Sequence, residues 1–198
     1  MNYEEEIRYR KKILSKVRNG EKITPEDRLW GATHRIYNRY LGYPYLNTDI
    51  IQLLPKTNYC VRVKIESLTY PGRVLPVITV PGGKGRIITS YPLTGPKGNV
   101  QPGKPIKMLG VLIDLHHKEA EFTYQSDLGL LGVSFECEYF DHKQHLMIRK
   151  NSNAGDPNYA MRKEVLTENN VRYWCKTPDA DSFEGFVFTL EWQDAAKK

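Results

Sequence analysis

The chain lacks the features that mark several large protein classes. No apolar run is long enough to span a bilayer as a helix. The start, Met1-Asn2-Tyr3-Glu4-Glu5-Glu6, is acidic and then basic, with no apolar h-region, so neither a signal peptide nor a membrane partner is expected. Cysteine is scarce: three residues, an odd number without metal-ligand spacing, point to free thiols and a reducing, cytoplasmic setting rather than a disulfide framework. There is no GxxxxGK[ST], no HExxH, no Cys-x-x-Cys and no Gly-x-Ser-x-Gly. Their absence removes the familiar signatures of nucleotide, zinc and serine-hydrolase chemistry, and no cofactor or metal is expected. No internal repeat of fixed period runs through the chain.

What is present is alternation. From Leu131 to Phe140 the chain reads Leu-Gly-Val-Ser-Phe-Glu-Cys-Glu-Tyr-Phe. Successive strand side chains project to opposite faces, so Leu131, Val133, Phe135, Cys137 and Tyr139 form a buried face. Ser134, Glu136 and Glu138 then form a wet one. That is the pattern of an antiparallel sheet covering a core on one side. Similar stretches recur from Asn58 onward: Val61/Val63/Ile65 against Arg62/Lys64/Glu66, then Arg86–Tyr91, Glu119–Tyr124, Leu146–Lys150, Tyr159–Val165 and Val171–Lys176. In Gly185–Trp192, Phe186, Phe188, Leu190 and Trp192 share one face. Pro76 inside Leu75–Val80 suggests an edge or irregular strand. Ile106–Leu115, apolar on both sides, reads as a central strand. Pro81–Gly85 reads as a hairpin turn, Gly95–Pro105 and Asn151–Asn158 as loops. About nine to ten short strands with no helical pattern between them predict a mainly β fold, an antiparallel β-sandwich or jelly roll.

The first 45 residues read differently. Glu4–Arg18 has acids first, bases last and Asn19-Gly20 as a stop, all suited to a helix. Thr24-Pro25-Glu26-Asp27 can open a second helix, which Tyr43-Pro44-Tyr45 would end. The expected organisation is an N-terminal helical hairpin, residues 1–45, a β-sandwich, residues 46–194, and a frayed tail, residues 195–198. At 198 residues the sandwich can bury a sizeable core without staples.

Charge follows the same division. The net charge is +6; residues 1–42 hold 10 basic and 6 acidic side chains, so most of the excess sits on about a fifth of the chain. Such basicity permits anionic partners without requiring them. Arg28, Arg35 and Arg39 recur at i, i+7 and i+11, among Tyr37, Tyr40, Tyr43 and Tyr45. Arginine beside tyrosine suits packing and protein interfaces, and also phosphates and stacked bases. The functional expectation is a non-enzymatic binding or assembly protein that meets a protein partner, or its own copies as a homo-oligomer, through this arm. The first rival is a nucleic-acid-binding or capsid-like structural protein.

Other chemistry is sparser. Asp141-His142-Lys143-Gln144-His145 and His116-His117 would make a metal or acid–base site only if the two loops converged; the plain reading is solvated turns. Glu136, Glu138 and Glu191 on wet faces raise a second rival, a carbohydrate-active hydrolase with paired carboxylates. Cys137 and Cys175 fall on apolar faces, whereas Cys60 falls on a charged one and is the exposed thiol.

Overall fold

The computed structural model describes residues 44–90, 93–95, 98–111, 118–141, 146–152, 158–178 and 182–197, with isolated positions before residue 44. Among the described residues thirteen strands follow one another: β1 (Asp49–Gln52), β2 (Asn58–Leu68), β3 (Arg73–Thr79), β4 (Gly85–Thr89), β5 (Leu93–Gly95), β6 (Gly98–Val100), β7 (Met108–Gly110), β8 (Glu119–Ser126), β9 (Leu130–Asp141), β10 (Leu146–Asn151), β11 (Met161–Thr167), β12 (Asn170–Cys175) and β13 (Phe186–Asp194). Sheet one runs β1-β9-β3-β7, with β10 also paired to β9; sheet two runs β11-β12-β13-β2-β8-β4; β5 and β6 form a small ribbon. All pairings are antiparallel. The mainly β expectation is therefore met, with more strands than the alternation revealed.

The pairing is nested. β1 pairs β9, β2 pairs β8 and β3 pairs β7, as in one long hairpin, while β1, β2, β3, β4, β7, β8 and β9 alternate between the two sheets. Rolling such a hairpin stacks the sheets and buries one face of each. Val61, Val63, Phe122, Tyr173, Phe186 and Phe188 from sheet two join Val74, Ile78, Leu131, Val133, Phe135 and Cys137 from sheet one in one apolar cluster. Phe135 and Phe186 meet across it with ring centroids 6.5 Å apart. The Tyr124 hydroxyl crosses from β8 to donate to the Leu130 carbonyl of sheet one, with the Thr79 carbonyl at 3.1 Å. Burial raises its pKa.

Several expectations need correction. The wet face assigned to Ser134 and Glu136 is buried: they are 2% and 7% exposed. Their partners on β3, Val77 and Leu75, are each 1% exposed on that same outer face. Sheet one is thus buried on both faces at its centre, where alternation marks two sides without telling which side meets water. Pro76 is not at an edge, since β3 lies between β9 and β7. Its carbonyl accepts from the Val111 N–H on the β7 side at 2.8 Å. A strand residue's N–H and C=O point the same way, so the missing donor faces the point where β7 has ended, and the β9 ladder loses nothing.

Ile106–Leu115 is not a central strand. Its described part holds the three-residue edge strand β7, with Met108 44% exposed. Pro81–Gly85 is not a hairpin turn but the crossover from sheet one to sheet two, built on a 3-10 turn. Gly82 and Gly83 there have φ of 72° and 69°, which side-chain-bearing residues rarely adopt. The expected Gly95–Pro105 loop contains β6, and the expected frayed tail contains a 3-10 turn at Ala195–Lys197, where the Ala196 N–H donates to the Asp194 carboxylate at 3.0 Å.

The helical hairpin is not supported. Arg8, Lys12, Ser15 and Lys16 are helical, and the Asn19 N–H donates to the Ser15 carbonyl at 2.9 Å, but the rest of both proposed helices lies outside the described residues. Among the described residues no helix is long and apolar enough to cross a membrane.

Candidate functional site

Of the proposed contact residues, Arg28, Arg35, Tyr37, Arg39, Tyr40 and Tyr43 lie outside the described residues, and Tyr45 alone is placed. Tyr45 stacks on Phe183, with ring centroids 4.9 Å apart and planes at 15°. Leu46 and Met161 exchange both backbone hydrogen bonds, at 2.7 and 2.8 Å. This two-residue ladder cannot lengthen toward the N-terminus. The next hydrogen-bonded pair would set residue 44 against Lys163, and Pro44 has no N–H to give.

The residues that follow Leu46 are tied to both sheets. The Ser152 hydroxyl donates to the Asn47 carbonyl at 2.7 Å and accepts the Phe135 N–H of β9 at 3.2 Å. Asp49, 5% exposed, accepts from the Tyr173 hydroxyl of β12 at 2.7 Å and from the Lys163 ammonium of β11 at 2.9 Å. Burial, then the adjacent Asp49 carboxylate, holds the Tyr173 pKa well above its usual range, so this hydroxyl stays a donor. A buried carboxylate with two donors is satisfied; stripped of its cation it would be strongly destabilising, by about 3–5 kcal/mol. Sequence reasoning missed this clasp. Asp49 stands 114 residues from Lys163 and 124 from Tyr173, and no local pattern marks such a meeting.

The glutamates do not converge. Glu136 and Glu138 sit on the outer face of sheet one; Glu191, opposite Arg62 and Asn170, sits on the outer face of sheet two. Packed sheets lie about 10 Å apart, and outward side chains diverge further. Carboxylates that flank one glycosidic bond are about 5–9.5 Å apart. Glu138 is moreover ion-paired to Arg73 at 3.3 Å. His116, His117, His142 and His145 lie outside the described residues, and among the described residues no group of three or more His, Cys, Asp or Glu side chains is placed to hold a metal.

The outer face of sheet two is a lattice of neutralised charges. Arg172 pairs with Glu66 at 2.7 Å and Glu164 at 3.1 Å, and Arg62 pairs with Glu121 at 3.2 Å. The Trp174 indole N–H and Arg172 hold the Glu164 carboxyl below the usual carboxylate range. Arg162 and Arg172 lie over the Trp174 ring at 5.5 and 5.9 Å. Such a face suits solvation and register. None of the three cysteines forms a disulfide; Cys137 and Cys175 are buried and Cys60 is half-buried. Burial, reinforced by Glu136, pushes the Cys137 thiol up to about 12, which makes it inert.

No protein-family model matches this chain, and no curated protein and no solved structure matches it.

Proposed function

We propose that this chain is a non-enzymatic, cytoplasmic binding or assembly protein: a jelly-roll scaffold that presents residues 28–45 to a protein partner or to its own copies. The observation that carries this reading is the anchorage of the arm's root. Tyr45 is stacked on Phe183, Leu46 is bridged to Met161, and Asp49 is clasped by Tyr173 and Lys163. An arm held this firmly at its base delivers its contact residues from a defined place at the end of sheet two, which lowers the ordering cost of binding. Arg28, Arg35, Arg39, Tyr37, Tyr40 and Tyr43 would then supply large contact area and directional donors. The divergence of Glu136 and Glu138 from Glu191 supports a binding role over a hydrolase.

Replacing Arg35, Arg39 and Tyr43 together by Ala tests the proposal. Light scattering should show a smaller solution mass, or pull-down the loss of the partner, with the melting temperature within a few degrees of the parent, as for surface changes. Strong destabilisation with unchanged association would overturn it.

The nested strand order favours one second reading. Jelly rolls with this order build capsids and lectin-like domains, and a basic arm on one would meet phosphate. In that case the same variant loses nucleic-acid binding, and its salt slope falls by about two for the two arginines removed.

A further inference from the structure

Independently of the arm's contact residues, the margin of sheet two leaves a short stretch of strand backbone open. β11 is the outermost strand of that sheet and pairs on one side with β12. Along a strand, the backbone N–H and C=O of successive residues point to alternate sides. Met161 sends both of its groups outward, to Leu46, whereas Ala160 accepts from the Lys176 N–H at 2.9 Å on the β12 side. Arg162 and Glu164 therefore turn theirs to β12, and Lys163 and Val165 turn theirs outward. Among the described residues no backbone group meets those of Lys163 and Val165. Every residue from 162 to 167 is exposed.

The open stretch is bounded at both ends. Leu46 occupies the margin at Met161, and Pro44 has no N–H with which to extend that ladder. At the other end the register with β12 shifts between Val165 and Thr167, which ends the regular margin. An occupant needs two outward-bonding residues and no more, and a second β11 has that length. Antiparallel pairing about a two-fold axis at Glu164 sets Lys163 of each copy against Val165 of the other. Four hydrogen bonds then match every open group.

The side chains suit the same register. On the inner face Val165, 63% exposed, is covered by the aliphatic stem of Lys163 from the other copy. On the outer face the two Glu164 carboxylates come together, and like charges directly opposite repel. Each, however, accepts from its own Arg172 at 3.1 Å and from the Trp174 indole N–H at 3.2 Å, with Arg162 over that ring. Glu66 shares Arg172. Four carboxylates (Glu66 and Glu164 of each copy) thus meet four guanidinium groups (Arg162 and Arg172 of each copy), and the join is electrically balanced.

We infer that β11 pairs with β11 of a second copy, antiparallel about Glu164, in a two-fold dimer whose second sheets run on as one.

Val165→Pro tests the backbone contact. The Val165 N–H faces away from β12, so the fold loses no hydrogen bond and the melting temperature should stay close to the parent's. Light scattering on the full-length parent should show a mass that rises with concentration toward twice that of one chain. Val165→Pro removes two of the four bonds and should weaken the dimer at least about tenfold. Val165→Lys burdens no buried site, sets a second ammonium beside Lys163 of the other copy, and should weaken it likewise. Glu164→Cys in a Cys60→Ser background reads the register. Facing Cα atoms about 4.5 Å apart lie within reach of a disulfide, so oxidation by diamide should trap a dimer. Adding Val165→Pro should suppress that trapping, whereas adding the Arg35, Arg39 and Tyr43 replacements should not. A parent of single-chain mass at every concentration, or trapping that Val165→Pro leaves undiminished, would overturn the inference.

Discussion

The two sheets obey different rules although their strands look alike in sequence. In sheet two, inward positions are mostly apolar, Thr89 and Lys163 excepted, and outward positions carry Arg62, Glu121, Glu164 and Arg172, paired in water-facing rows. Sheet one puts Leu75, Val77, Ser134 and Glu136 outward, and all four are buried. Period two therefore reports that a strand has two faces, and polar letters on one of them do not guarantee solvent. A single carboxylate or hydroxyl can be carried into a covered face when apolar neighbours on the adjacent strand outweigh it, as Leu75 and Val77 do beside Glu136 and Ser134.

Substitutions can break this contrast. Phe135→Ala should be the most damaging, by about 3–5 kcal/mol in urea unfolding, because it opens a cavity where sheet one meets Phe186 of sheet two. Leu75→Ala comes next at about 2–5 kcal/mol, although it faces away from the inter-sheet core. A loss near zero for Leu75→Ala would show that the outer face of sheet one is as open as that of sheet two.

Smaller effects sharpen the comparison at the points where the sheets are joined. Tyr173→Phe removes one donor from buried Asp49 and should cost about 1–3 kcal/mol, with Lys163 still in place. Arg62→Ala, on the wet face of sheet two, should change stability by no more than about 1 kcal/mol, and the change should shrink as salt is raised. If Arg62→Ala proved costlier than Tyr173→Phe, the charge lattice rather than the buried clasp would contribute more to stability.

Much of the fold was legible in the residues. Val133, Phe135 and Cys137 are fully buried, and Phe186, Phe188 and Leu190 share the core, all as alternation indicated. Strand β1 was missed because Asp49-Ile50-Ile51-Gln52 is four residues long and does not alternate. β7 was overextended because an apolar run on both sides resembles a central strand as much as an irregular edge. Of the three thiols, Cys60 was anticipated as the least buried, and it is half-buried rather than exposed. The clasp at Asp49 and the open margin of β11 were not anticipated, since each depends on contacts that neighbouring residues do not encode.

By itself the sequence determined the strand-rich class and the two-sidedness of the long amphipathic strands. These follow from periodicity and composition, which act over a few residues. Tertiary structure alone decided the nested pairing of β1 with β9, β2 with β8 and β3 with β7, and with it the placing of Glu136 and Glu191 on opposite sides of the molecule. It also brought Asp49 to Tyr173 and Lys163, and left β11 at the margin of sheet two. The physical reason is that local preferences choose strands, whereas which strands lie together is chosen by the joint burial of apolar faces far apart in the chain.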